Sequence, residues 1–335
     1  MPRALSFLII GSLAACSEWD SLWCLPDAPP PAPPWSLGPE LPAPRLESGV
    51  TSLGQRVIVV GGFDQSTAQG LRITPEVISL DLLTGTWSSL PDAPVAWTHP
   101  NVAAASSTLY VLGGHDTTTF LARGDSFALD LGLPDPQWRP IAPMPDGMER
   151  GAAAVVSMPP HIYLLGGAST SEALATCLDY DFSTDTWSEL PPLPSPRSHA
   201  AAMRLEDGTL IVAGGLSSLD SSRPLGDVWA LPLHATEWEP LAPMRRARGG
   251  CAYGTVFGHL ICAGGEAGTG AVETVESYAS NTDVWTTQDD MPEPRAGTRG
   301  TVIGGRLYIP GGAAALQFEP TTSLYVFSFL DTLQP

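Results

Sequence analysis

Two residues past a recurring turn residue, the chain carries a carboxylate once and an imidazole twice: Glu47 follows Arg45, His99 follows Trp97 and His199 follows Arg197. A carboxylate and two imidazoles at one repeated position can bind a sugar or a cation, or exchange protons with a bound substrate. Further polar groups stand just beyond Gly–Gly doublets: Asp64, His115, Asp116 and Glu266, with Arg123 and Arg223 further out. Arg299 has no counterpart in the other units. The candidate ligand-binding set is therefore Glu47, Asp64, His99, His115, Asp116, His199, Glu266 and Arg299. No catalytic residue, metal ligand set or cofactor is assigned.

Two interleaved marks define the elements that must position this set. A glycine doublet follows a short apolar run six times, at Gly61–Gly62, Gly113–Gly114, Gly166–Gly167, Gly214–Gly215, Gly264–Gly265 and Gly311–Gly312, with successive spacings of 52, 53, 48, 50 and 47. Trp35, Trp87, Trp138, Trp187, Trp238 and Trp285 repeat at 52, 51, 49, 51 and 47. Between a tryptophan and the next doublet lie a turn and two β-like runs joined tightly, as in "GTVFGHLICAGG". After the doublet come a polar loop, a third run such as "EVISLDL", and the tryptophan segment. Each unit thus reads as four antiparallel strands, a to d, and a period near 50 residues fits the blades of a propeller.

This pattern, with an aromatic such as Tyr110, Tyr163 or Tyr308 just before the doublet, resembles the kelch repeat from Trp35 to about Phe329. The resemblance implies an all-β fold, a six-bladed β-propeller of four-stranded antiparallel blades. The marks begin with a tryptophan and end with a doublet, so "PPWSLGPELP" is a tail whose head is the last unit. The N-terminal strand d, around Trp35, is expected to complete the final blade and close the ring, removing an open edge.

The doublets let the backbone take left-handed φ values and let neighbouring strands approach. A tryptophan burying ~200 Å² contributes on the order of 5 kcal/mol, so all six read as core that welds adjacent blades. The turn arginines Arg45, Arg150, Arg197, Arg248 and Arg295 are expected to bond carbonyls or carboxylates of the adjoining blade rather than to form a cationic ring. The spacing from tryptophan to doublet is nearly constant at 26 to 28 residues, whereas that from doublet to tryptophan runs from 21 to 26. Variation is thus concentrated in the b–c loops, which share a face with the d–a turns, and that face is the expected binding face. In kelch-like units a histidine at the start of strand a also serves local hydrogen bonding, the structural alternative for His99 and His199.

Composition removes several functions. Sixteen basic residues, all arginine, stand against 35 acidic ones, a net charge of −19 that disfavours nucleic acid and anionic membrane surfaces. Without lysine there is no Schiff base, pyridoxal anchor or Walker loop, and G-x-S-x-G and H-E-x-x-H motifs are missing. Some kelch-like propellers are radical copper oxidases, but the tyrosines here fall in strand positions that read as core.

The opening "MPRALSFLIIGSLAAC" sets Arg3 before an apolar run of twelve residues, the layout of an export signal too short to span a bilayer. "LAAC" resembles the lipobox of bacterial lipoproteins, which implies lipid on Cys16. In that family the residue after the cysteine helps decide sorting, and Ser17, not being aspartate, implies an outer membrane if the host has one. The expected organisation is a signal peptide over 1–15, a lipidated Pro-rich tether over 16–34 and a propeller over 35–335. Of Cys24, Cys177, Cys251 and Cys262, the last two lie in apolar strands, with Cys262 expected opposite Thr255, so no disulfide is favoured.

The resulting expectation is a non-catalytic, lipid-anchored kelch-like scaffold that binds a protein or glycan on the b–c and d–a face, at the cell surface or in the periplasm. The alternative is an exported sugar mutarotase or epimerase resembling the sialic-acid mutarotases, with Glu47, His99, His199 and Arg299 as acid–base and binding groups.

Overall fold

A computed structural model describes residues 33–67, 70–116, 120–220, 222–268, 270–314 and 319–329. The expected signal peptide, Cys16, Cys24 and nearly all of the tether lie outside these residues. The chain divides into Met1–Pro33 and Pro34–Pro335, and the second unit holds all the strands described below. Among the described residues no helix is long and apolar enough to cross a membrane.

Six four-stranded antiparallel sheets form the blades. Blade 1 consists of Gly49–Leu53, Arg56–Val60, Val77–Asp81 and Thr86–Leu90, which are strands a to d. Blade 2 is Val102–Ala105, Thr108–His115, Ala122–Asp130 and Trp138–Ile141, and blade 3 is Ala154–Met158, His161–Leu165, Cys177–Asp181 and Thr186–Leu190. Blade 4 is Ala201–Arg204, Leu210–Ala213, Val228–Leu231 and Glu239–Leu241. Blade 5 is Ala252–Val256, His259–Ala263, Val275–Ala279 and Val284–Thr287. Blade 6 takes Thr301–Ile303, Arg306–Pro310 and Leu324–Ser328 from the C-terminal region and its strand d, Trp35–Leu37, from the N-terminal region. Strand a of each blade touches strand a of the next, so these strands line the axis. A hairpin, Phe63–Thr67 with Gly70–Ile73, fills the b–c loop of blade 1.

The closure is as the repeat order requires: Trp35 pairs with Phe327, Ser36 with Val326 and Leu37 with Tyr325. All six repeat tryptophans make one further contact. The indole N–H of Trp87, Trp138, Trp187, Trp238, Trp285 and Trp35 donates to the carbonyl of Pro39, Pro91, Ala142, Pro191, Ala242 and Asp289, at 2.9 to 3.1 Å. Each acceptor follows strand d of the preceding blade, so the contact joins blade to blade. Only Trp238 and Trp285 are fully buried; the other four are half-buried, because strand d is outermost and wet on one side.

The turn arginines are buried and bond carbonyls and carboxylates, but in a different blade from the one expected. Arg150 donates to the carbonyls of Gly166 and Thr176, Arg197 to Gly214 and to Asp227, and Arg248 to Cys262 and Glu276, all in the blade that the arginine opens. The neighbouring blade is held instead through the main chain. Gly167, Gly215, Gly265 and Gly312 donate their N–H to the carbonyls of Arg197, Arg248, Arg295 and Arg45. Trp97, fully buried where the second blade lacks an arginine, accepts from Gly62 in the same way. This close approach explains the first glycine of each doublet. At Gly214, where φ is +63°, a Cβ would lie 2.6 Å from the Arg248 carbonyl oxygen.

Cysteine pairing differs from expectation. Cys251 and Cys262 form a disulfide with their Cα atoms 5.6 Å apart. Cys262 pairs with Tyr253 and not with Thr255, which brings Cys251 onto the diagonal, within bridging range. Cys177 is a free, buried thiol, and burial pushes its pKa up to about 11. At pH 8 about one such thiol in a thousand is ionised, so Cys177 is expected to resist iodoacetamide until the protein unfolds. Peptide mass mapping of native and urea-treated protein reads this directly; equal labelling in both would contradict the packing.

Candidate functional site

The residue two places after each turn residue adopts the left-handed conformation in every blade: Glu47 (φ 53°), His99 (54°), Ala152 (53°), His199 (55°), Gly250 (63°) and Gly297 (64°). Their main chains form a collar around the axis. The N–H of Glu47 donates to Gly297 O, His99 to Glu47 O, Ala152 to His99 O, His199 to Ala152 O and Gly250 to His199 O, at 2.6 to 3.0 Å. A left-handed conformation costs a residue with a Cβ roughly 1–2 kcal/mol. Blades 5 and 6 avoid that with glycine, whereas blades 1, 2 and 4 keep large polar side chains there.

A second ring lies one residue past each doublet. Phe63, His115, Ala168, Leu216, Glu266 and Ala313 each pair by an isolated bridge with the residue just before a collar position. Above these rings a cavity of about 330 Å³ opens on the b–c and d–a face. Its floor holds Glu47, His99 and His199, and its walls include Phe63, His115, Phe120, Ser169, Leu219 and Glu266. Phe120 and Leu219, each 48% exposed, form the apolar lip.

The floor is tightly arranged. Glu47 Oε2 lies 3.2 Å from His99 Nε2 and 3.9 Å from His199 Nε2. The two imidazoles meet edge to face at 5.1 Å, and His115 meets His99 in the same manner at 5.5 Å. The Thr98 hydroxyl lies 2.9 Å from His99 Nδ1, and the Ser198 hydroxyl 2.9 Å from His199 Nδ1, which leaves both Nε2 atoms facing the axis. Burial holds His99 well below the usual imidazole range, helped by His115 and Arg299. Burial likewise brings His199 to about 3 against the pull of Glu47, and lowers His115. All three imidazoles are uncharged at neutral pH.

The remaining sequence candidates separate from this floor. Asp64 is buried and ion-paired with Arg72 inside the blade 1 hairpin. Asp116 lies 3.9 Å from Arg123, away from the cavity lining. Glu266 lines the wall. Arg299 sits beneath the floor, where it donates to Ala153 O at 2.8 Å and to the Tyr253 hydroxyl at 3.2 Å. It therefore crosses the axis and separates the mouth from a second cavity of about 350 Å³ towards the opposite face. Tyr253, which reads as core in sequence, faces the axis; its hydroxyl takes the Val155 N–H at 2.9 Å. Ala152, Gly250 and Gly297 complete the collar, and Phe63 and Phe120 the walls. Counting two residues past each turn residue and one past each doublet locates all of these except Phe120.

Six blades of four strands around one axial mouth define a β-propeller, and the cavity over the collar opens on its b–c and d–a face. The chain belongs to the kelch-repeat family: the model of the KLHDC2/KLHL20/DRC7 kelch-repeats domain matches residues 101–312, and the kelch motif matches residues 44–94. It is similar to kelch-like protein terF of Aspergillus terreus, at 30% identity over 92% of this chain and 71% of that protein. It is also similar to kelch-like protein 25 of Xenopus tropicalis, at 25% identity over 76% of this chain and 42% of that protein. With human kelch-like protein 33 it shares 31% identity over 38% of this chain and 24% of that one. The chain thus spans less than half the length of the two vertebrate relatives.

Proposed function

We propose that this chain is a non-catalytic kelch-repeat scaffold that takes a glycan or a protruding segment of a protein into its axial mouth. One observation carries this reading: an apolar-lipped cavity of about 330 Å³ stands over a few convergent polar groups, on the face where loop lengths vary. The rings of Phe63 and Phe120, with centroids 5.9 Å apart, offer flat faces to a sugar or an aliphatic side chain, and Glu47, His99 and Glu266 offer polar partners. The lipobox-like "LAAC" supports attachment to a membrane through lipid on Cys16, at the cell surface or in the periplasm. Nucleic acid is disfavoured as a partner by the charge of −19.

Screening the full chain against glycan and peptide arrays, followed by calorimetry on the hits, tests the mouth. Phe120→Ala is expected to weaken a genuine ligand at least tenfold, and unchanged affinity would move the site elsewhere. Mass spectrometry of membrane-extracted protein reads the anchor as an acylated Cys16; an unmodified cysteine removes it.

The uncharged imidazoles beside Glu47 favour a second reading, sugar mutarotation or epimerisation, which needs only an acid and a base. The position of Arg299 below the floor weakens it by withdrawing one of the four expected groups. Proton NMR of sialic acid anomerisation separates the two: an acceleration abolished by His99→Gly would replace the scaffold reading.

A further inference from the structure

We propose that Glu47 Oε2, His99 Nε2 and His199 Nε2 form a binding site for one divalent first-row transition metal ion of the zinc class. The proposal stands on the collar itself and is independent of which glycan or peptide the mouth takes.

Three observations converge on it. The three donor atoms lie within 4.8 Å of one another. Zinc bound at ~2.0–2.2 Å from nitrogen and oxygen donors in a tetrahedron needs donors roughly 3.3–3.5 Å apart. Glu47 Oε2 and His99 Nε2, at 3.2 Å, are close to that spacing, and His199 Nε2, 3.9 Å from the carboxylate and within 4.8 Å of the other donors, has to close in by no more than about 1.5 Å. Two imidazoles with one carboxylate also suit zinc and its neighbours better than calcium or magnesium, which favour all-oxygen sets.

The second observation is the support behind each imidazole. Buried hydroxyls of Thr98 and Ser198 hold Nδ1 of His99 and His199, and this outer contact is what orients a ligating histidine and fixes its tautomer. A hydroxyl both donates and accepts. In the metal-free state His99 can thus carry its proton on Nε2 towards Glu47. When an ion takes Nε2, the ring stays neutral by moving its one proton to Nδ1 through exchange with solvent, and Nδ1–H then donates to the Thr98 hydroxyl.

The third is the occupancy of the collar. Ala152, Gly250 and Gly297 stand at the positions equivalent to the three ligands, so the rest of the ring is nearly free of side chains. Glu47, His99 and His199 all line the cavity, so an ion held by them would be open to it. Local hydrogen bonding accounts for Glu47 with His99, but it leaves the convergence of His199 on the same carboxylate oxygen without a purpose.

The test uses untagged full-length protein treated with chelator and then desalted. Calorimetry with Zn²⁺ is expected to show one site per chain, and Co²⁺ is expected to give visible ligand-field absorption. His99→Gly and His199→Gly each introduce the residue that blades 5 and 6 carry at that position, so the fold tolerates them, and Glu47→Gln keeps shape. Each is expected to weaken Zn²⁺ at least tenfold. Thr98→Val, which spares the ligands, is expected to weaken it by a smaller factor. Mass mapping of diethylpyrocarbonate modification supplies a reading on the wild type alone, with Zn²⁺ expected to protect His99 and His199 but not His234 or His259. Equal Zn²⁺ binding by the wild type and the His99→Gly/His199→Gly double variant, or no protection by Zn²⁺, overturns the proposal.

Discussion

A chain lacking Trp35, Ser36 and Leu37 is expected to lose its folded monomeric state. These three residues supply the whole outer strand of blade 6. Beside them, Ser328 N–H donates to Pro34 O at 2.7 Å, Gly38 N–H to Leu324 O at 2.9 Å and Leu41 N–H to Thr322 O at 2.8 Å. The Trp35 ring packs on Phe327 at 4.7 Å and on Tyr325 at 6.2 Å, and its N–H reaches blade 5. A half-buried indole contributes about 2–3 kcal/mol and each hydrogen bond about 1 kcal/mol, so the deletion removes something like 5–8 kcal/mol. A domain has only about 5–15 kcal/mol in all. The strand left behind, Leu324–Ser328, would then show an apolar edge that pairs with other chains. Light scattering after size exclusion is expected to find oligomers, and urea titration an early, broadened transition. A monomer with an unchanged midpoint would mean that the ring does not depend on its clasp.

The second large effect is expected at Arg248. Its side chain and that of Glu276 are both sealed from solvent, 3.4 Å apart. Arg248 also donates to the Cys262 carbonyl at 3.2 Å. Arg248→Met fills similar space but leaves the Glu276 carboxylate supported only by the N–H groups of Arg245 and Arg246, at 3.0 and 3.1 Å. Leaving one partner of a buried pair behind costs about 3–5 kcal/mol. Urea denaturation is expected to show a loss of that size, with part of it regained in Arg248→Met/Glu276→Gln. Arg295→Met is expected to lose less, because Glu293, its partner at 2.7 Å, is 46% exposed and can turn to water. Equal losses at the two sites would contradict the role given to Glu276.

The ring was legible because its marks serve the repeat rather than any ligand. Each doublet begins with a residue at positive φ, and each repeat tryptophan reaches the blade before it, so both must recur at one period. Glu47, His99 and His199 were legible for the same reason: they share a repeat position, and the collar converts that into convergence. What sequence did not give was depth and direction. Arg299 and Tyr253 begin neighbouring strands, yet they reach across the axis to blade 3, a contact that only the closed ring creates. The blade each turn arginine serves is not legible because a turn between two blades offers two neighbours, and the main chain takes one while the side chain takes the other. A shift of two residues in the register of one hairpin is enough to hide the diagonal Cys251–Cys262 pair from sequence.

The seam also sets a clock on biogenesis. Trp35 emerges from the ribosome before any blade exists, and its partner Phe327 follows 292 residues later. At translation speeds of about 5–20 residues per second, the wait is roughly 15–60 seconds. Throughout that interval the nascent polypeptide carries an unmatched strand at each end of its growing arc, a natural substrate for a holding chaperone.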